Sequence, residues 1–200
     1  YYAIKTADST KKFTIGKASA NVKVNDKEGV TTSFTAIEFE VTESGLIDGD
    51  SLTYEFKIYY NNELIATANA NGVLTFEDGK TLTPGIYTVE AFSENANYDV
   101  TFENGSLTVE ATDTYYTVSF AGEGKATFTG KVFNPEVKAV VTETGEEETN
   151  IIVSHGDIVN AGVYEVTVKV GALEKVYRLQ FVVEAKPIEL EWNVPVFVYN

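Results

Sequence analysis

The strand pattern of this chain is clearest in residues 84–111, PGIYTVEAFSENANYDVTFENGSLTVEA. Apolar and polar side chains alternate from Tyr98 onward, and the alternation resumes at Leu107. A period of two is typical of a β-strand with one buried face. Between the two runs, Asn104-Gly105 supplies residues that tolerate positive φ. The sequence therefore predicts a β-hairpin over residues 98–111 with a type I′ turn.

This pattern recurs along the chain. Residues 161–166, AGVYEV, repeat residues 84–89 at an offset of 77 residues, and residues 177–185 repeat the closing strand. A partial third copy opens the chain in residues 1–18. Repetition of one small unit predicts a modular architecture.

Both full copies place a tyrosine just after a turn and two residues before an inward-facing valine. These are Tyr87 and Tyr164. In immunoglobulin-type sandwiches, a tyrosine at this position forms the tyrosine corner, in which the phenol bonds to upstream backbone. We predict this structural role for both residues.

Composition excludes several classes of protein. The formal net charge is −15, from 30 acids and 15 bases, so nucleic acid and anionic membranes would repel the chain. Cysteine is absent, which excludes disulfides and thiolate metal sites. No apolar run is long enough to span a membrane. The chain starts at Tyr1 without any methionine and ends in mid-pattern, so we expect it to be a piece of a longer protein.

Apolar residues do not recur at helical spacing over ten residues, and this favours an all-β fold. We predict tandem immunoglobulin-like β-sandwich modules joined by short linkers, the first with about seven strands. The expected divisions are the end strands of a preceding unit in 1–19, a first module in 20–112, a second in 113–186, and the start of a further repeat in 187–200. Residues 17–19, 111–113 and 184–187 would be the junctions.

One family resembles this chain. Residues 97–109, NYDVTFENGSLTV, resemble the closing motif of the mostly-β bacterial repeats known as MBG domains, which also carry a Gly-x-Tyr strand and a loop like Gly49-Asp50-Ser51. The resemblance covers residues 20–112 well and is looser over 113–186. Residues 186–188, Trp192 and residues 197–200 resemble the opening of another repeat.

This resemblance implies immunoglobulin-like tandem modules of large, secreted or wall-attached bacterial proteins, often called adhesins. It implies no catalytic residues, and its binding residues are not defined well enough to transfer. We expect no cofactor. The expected location is extracellular, at the bacterial cell surface or cell wall, and the expected partners are neighbouring repeats of the same chain.

Two groups of residues could be catalytic, but the sequence argues against both. Residues 154–157, SHGD, place Ser, His and Asp side by side around His155, the only histidine, but neighbouring strand residues point to opposite faces and cannot converge as a triad. Glu38 and Glu40 lie two apart, at about the carboxylate spacing of inverting glycosidases. The alternation puts both on a solvated face, where nothing raises the pKa of a general acid. We predict no enzymatic activity.

Four residues are candidate binding groups. Asp48 and Asp50 could supply oxygens to calcium, although the loop lacks the spaced ligands of an EF-hand. Tyr59 and Tyr115 each belong to a tyrosine pair that places one ring on either face, so an exposed ring could stack on a sugar. A Lys–Asn isopeptide crosslink promoted by a buried acid also stays open.

Two functions fit these observations. The first is a non-enzymatic spacer or stalk segment of a secreted, adhesin-like surface protein. The alternative is a module that binds surface glycans or host matrix proteins through exposed tyrosines and loop tips.

Overall fold

The computed structural model describes residues 15–191. The chain divides into two compact units, unit 1 up to Glu110 and unit 2 from Ala111. The described residues contain strands and turns but no helix, which confirms the all-β prediction, and no membrane-spanning helix is found in them. The predicted boundary at 112/113 lies two residues beyond this division. That the units are immunoglobulin-like modules stays a prediction.

The described part of unit 1 has nine strands, where the sequence predicts about seven. The strands are β1 (Ala18–Val24), β2 (Lys27–Thr31), β3 (Val41–Ser44), β4 (Glu55–Tyr60), β5 (Glu63–Ala68), β6 (Leu74–Phe76), β7 (Gly85–Phe92), β8 (Tyr98–Glu103) and β9 (Gly105–Glu110). They form two sheets, the first with the order β3-β1-β8 and the second with the order β2-β9-β7-β4-β5-β6.

Both sheets of unit 1 face one hydrophobic core. Val24 on β1 and Phe102 on β8 pack into the same cluster as Ile58, Val89 and Leu107 of the larger sheet. The inward positions of β1 and β7 alternate with exposed ones, as period-two burial requires.

The predicted hairpin over residues 98–111 is wrong. Strand β8 pairs with β1 in one sheet, whereas β9 pairs with β7 and β2 in the other. The chain therefore crosses between sheets at Asn104 and does not turn back. Gly105 is required for a close approach: a Cβ there would lie 2.6 Å from the carbonyl oxygen of Val24, and its φ is not positive.

The sequence predicts a second hairpin at Asn61-Asn62, where the alternating run from Leu52 to Tyr60 ends and Leu64 to Ala68 follow, and the structure confirms it. Both residues have positive φ, 49° and 65°, which is the conformation of a type I′ turn. They join β4 to β5, which pair antiparallel with a register shift after Ile58.

Unit 2, as far as residue 191, has seven strands. They are β10 (Tyr116–Phe120), β11 (Lys125–Thr127), β12 (Val137–Val141), β13 (Glu147–Glu148), β14 (Ile151–Ser154), β15 (Gly162–Val170) and β16 (Lys175–Glu184). These strands also form two sheets, with the orders β10-β12-β13 and β11-β16-β15-β14. One apolar core, which includes Ala139, Val168 and Phe181, joins the two sheets.

The closing strands of the two units follow one plan with one difference. In unit 1, Tyr87 lies opposite Leu107, and in unit 2 Tyr164 lies opposite Phe181. Unit 2 joins its two strands through a short turn at 171–174, whereas unit 1 inserts β8 between them.

Three smaller expectations are corrected. Ala18 and Ser19 are not a junction, because they pair with Tyr98 and Asp99 inside unit 1. The alternation of Ile37, Phe39 and Val41 predicts a strand from Ile37, but the strand begins only at Val41. Residues 145–148, GEEE, predict a turn, but Glu147 and Glu148 form a short strand against β12. Residues 187–191 form no strand, and the opening copy up to Thr14, Trp192 and residues 197–200 lie outside the described residues.

The tyrosine corners are confirmed as hydrogen bonds to upstream backbone. The Tyr87 hydroxyl donates to the Thr83 carbonyl at 2.8 Å and accepts from the Thr83 N–H at 2.8 Å. The Tyr164 hydroxyl donates to the Asn160 carbonyl at 2.8 Å. The Tyr87 side chain is almost fully buried, at 1% exposed.

Replacing Tyr87 by phenylalanine should lower the free energy of unfolding of unit 1 by about 1–2 kcal/mol, because it removes both bonds to Thr83. Urea unfolding measures the change. Tyr164→Phe is the matched control and should weaken unit 2 by less, since its hydroxyl makes one bond in an exposed position. An unchanged unfolding curve for Tyr87→Phe would contradict the corner's structural role.

Asp26 joins the two points at which unit 1 changes sheets. Its carboxylate accepts from the backbone N–H and the hydroxyl of Ser106, both at 2.8 Å. These bonds hold the pKa of Asp26 below its usual value. Because the folded-state pKa is the lower one, ionised Asp26 stabilises the fold above about pH 4. That contribution disappears as the pH falls through the folded-state pKa.

We therefore expect Asp26→Asn to lower the melting temperature near pH 7 and to have a smaller effect at about pH 2, because the native carboxyl gains a proton as the pH falls through its folded-state pKa. Thermal unfolding at both pH values tests this. Asp48→Asn, at an exposed turn, controls for the loss of one charge. An equal deficit of Asp26→Asn at both pH values would refute the expectation.

Candidate functional site

Asp50 belongs to a closed hydrogen-bond cycle in the loop of residues 45–50. The Tyr98 hydroxyl donates to Asp50 Oδ2 at 2.5 Å and accepts from the Ile47 N–H at 3.0 Å. The Asp50 N–H in turn donates to the Ile47 carbonyl at 2.9 Å. The bond to Asp50 raises the pKa of Tyr98, whose side chain is only 4% exposed. This cycle fastens the loop to β8.

This geometry does not make the loop a calcium site. One oxygen of Asp50 is already bonded to Tyr98, and Asp48 is exposed on the adjoining turn. Within residues 15–191, no group of three or more acidic or imidazole side chains could hold a metal ion. Sequence reasoning missed Tyr98 because it lies 48 residues from Asp50.

Tyr59 and Tyr60 separate to opposite faces of β4, as predicted. The Tyr60 ring packs into the core, 4.8 Å from the Tyr87 ring centre. Tyr59 is half-buried, and burial raises its pKa, with the Glu90 carboxylate adding to the effect. Tyr59 is therefore directed to the solvent face of the larger sheet.

Other groups surround Tyr59 on that face. Glu90 lies opposite Lys57 in the ladder and accepts from Asn104 Nδ2 at 3.3 Å. The Lys57 ammonium lies 5.4 Å from the centre of the Phe92 ring. We call this cluster of Lys57, Tyr59, Glu90, Phe92 and Asn104 the Tyr59 face. It combines aromatic rings with hydrogen-bonding groups.

Tyr115 is not an exposed ring. It is half-buried and packs against the core of unit 2. Its ring meets that of Tyr116 edge to face, with the centres 4.8 Å apart. The expectation that it stacks on a ligand is not supported by this environment, because edge-to-face packing already occupies the ring.

The candidate catalytic residues do not form a site. The Nδ1–H of His155 donates to the Gly156 carbonyl at 2.8 Å, while Ser154 and Asp157 are exposed. Glu38 and Glu40 are also exposed, in a segment that is not a strand. No polar or charged residue is buried in the described part of the chain, so no lysine there has the buried acid that an isopeptide crosslink requires.

No family model matches this chain, and no curated protein matches it. Among solved structures it is similar to extracellular domains 3–5 of Drosophila OTK, at 11% identity and a TM-score of 0.44, covering 82% of this chain. The chain spans 60% of that structure's length.

A second similar structure holds the fibronectin(III)-like modules of Clostridium thermocellum CbhA, at 10% identity and a TM-score of 0.32. It covers 87% of this chain and 100% of that one. A third is the surface layer protein SbsC, domains 4–9, at 15% identity and a TM-score of 0.27. This match covers 83% of this chain and 30% of that one. These values are too low to transfer a function.

Tyr98→Phe should free the loop of residues 45–50. Without the phenol oxygen, the Ile47 N–H loses its acceptor, and its hydrogen exchange should accelerate by about fivefold. Exchange followed by NMR measures this. Asp48→Asn is the control and should leave the Ile47 rate unchanged. An unchanged rate in Tyr98→Phe would show that the hydroxyl does not hold the loop.

Proposed function

We propose that this chain is a non-enzymatic spacer segment of an extracellular, adhesin-like protein of the bacterial surface, built from tandem immunoglobulin-like modules. The observation that carries the proposal is the repetition of one closing-strand plan in both units. Gly85 and Gly162, each two residues before the corner tyrosine, lie opposite Val109 and Val183. Chains that repeat a small module add length by doing so.

The distribution of side chains supports this proposal. Each unit has its own apolar core, so each is equipped to fold as a module. The surface carries the charge, with a net −15 over the chain. A strongly acidic surface keeps such a protein soluble and prevents non-specific association with itself.

A glycan-binding role is the second candidate, and the Tyr59 face favours it. A tyrosine ring can stack on the apolar face of a sugar. Glu90 and Asn104 bond to each other, and beyond that bond the carboxylate has a second oxygen and the amide a second N–H that can bind hydroxyl groups. Binding through Asp50 or Tyr115 stays a prediction that competes with intramolecular contacts, since Asp50 Oδ2 accepts from Tyr98 and the Tyr115 ring packs on Tyr116.

Binding assays separate the two candidates. A spacer should bind no glycan on an array and no host matrix protein at micromolar concentration. If glycans bind and Tyr59→Ala abolishes the binding while Tyr115→Ala does not, the second candidate is correct. X-ray scattering adds an independent check, since a spacer requires an extended particle and a compact globule would contradict it.

A further inference from the structure

Unit 1 pairs its first strands with its last strands in parallel. Strand β1 runs beside β8 in six register pairs, from Ala18 opposite Tyr98 to Lys23 opposite Glu103. Strand β2 continues beside β9 in three more, ending with Thr31 opposite Glu110. The chain thus enters unit 1 at one end of this strip and leaves at the other.

Side chains reinforce the strip along its length. Lys23 pairs with Glu103 at 2.7 Å and Lys17 with Asp99 at 3.8 Å. At the gap between β1 and β2, Asp26 accepts the two bonds from Ser106. The strip is therefore tied together where its backbone pairing is interrupted.

The direction of a pulling force decides how such a strip breaks. Force applied at the two ends of parallel strands acts along them, so all the interstrand hydrogen bonds are loaded together. Force applied at the same end of both strands opens the bonds one after another. Each hydrogen bond contributes only a small net free energy, so loading many at once is what produces mechanical resistance.

We propose that unit 1 is a load-bearing element, with the strip of residues 18–31 and 98–110 acting as a clamp sheared by tension along the chain. The proposal rests on the spacer function, because a spacer between two attachment points carries tension. It goes beyond the spacer function by naming the strands of unit 1 that resist this tension.

Unit 2 provides a natural comparison within the same molecule. Its parallel pairing with the last strand is confined to β11, with three register pairs from Lys125 opposite Val182 to Thr127 opposite Glu184. Its first strand, β10, pairs antiparallel with β12 and not with β16. The clamp of unit 2 is therefore much shorter, and unit 2 should yield at the lower force.

Pulling single molecules of the full chain by its two ends tests the order. When unit 1 unfolds, residues Ala18–Glu110 release about 30 nm of contour length, before the length of the folded unit is subtracted. Unfolding of unit 2 releases about 25 nm from Ala111–Glu184, counted in the same way. We expect the shorter extension first and at the lower force. The longer extension appearing first, or both at equal force, would overturn the proposal.

The direction of pulling tests the clamp itself. The chain has no native cysteine, so handles attach only where one is introduced. Pulling through cysteines introduced as Gly16→Cys and Glu110→Cys shears the strip. Pulling through Gly16→Cys and Glu94→Cys peels it from one end. Gly16 has open space around it, and both glutamates are exposed.

We expect unit 1 to unfold at a clearly higher force in the sheared pair than in the peeled pair, and equal forces would refute the clamp. In the full chain pulled by its ends, Asp26→Ala should lower the force at which unit 1 unfolds and leave the force at which unit 2 unfolds unchanged. A lowering of both would show a general loss of stability. Glycan binding in the assays above would refute the spacer function without changing these forces.

Discussion

Pairing between residues 18–31 and residues 98–110 is the constraint on which unit 1 depends. Both segments change sheets at the same level, so each sheet contains one strand from the beginning of the unit and one from its end. The Asp26 carboxylate joins the two crossing points, and Gly105 lets them approach closely. Neither sheet can be completed without the other, and the core forms between them.

Polar groups on unit 1 serve structure more than recognition. The loop at Asp50 is fastened to Tyr98, and the corner at Tyr87 fastens the segment before β7. In unit 2, Tyr115 is held by ring packing. The Tyr59 face differs, because its aromatic and hydrogen-bonding groups lie on the solvent side of a sheet. The second candidate function therefore assigns binding to that face.

Local pattern predicted the strands, and long-range pairing decided how they are arranged. Alternation identified β7 and the hairpin at Asn61-Asn62, because each depends on neighbouring residues alone. The same local reasoning wrongly predicted a turn at Asn104-Gly105. Gly105 is needed there because the backbone comes close to Val24, 81 residues earlier in the sequence. The bond between Tyr98 and Asp50 joins residues 48 positions apart, so the local periodicity of the sequence cannot predict it.

The insertion of β8 in unit 1 has a consequence for the order of folding. The strip joins residues 80 positions apart, so its formation must wait for a long segment to be closed, whereas β15 and β16 of unit 2 are joined by a four-residue turn. Closure entropy slows structures dominated by distant contacts. After stretching, the strip of unit 1 therefore reforms more slowly than the β15–β16 pair of unit 2, and during synthesis unit 1 stays incomplete until β9 has left the ribosome.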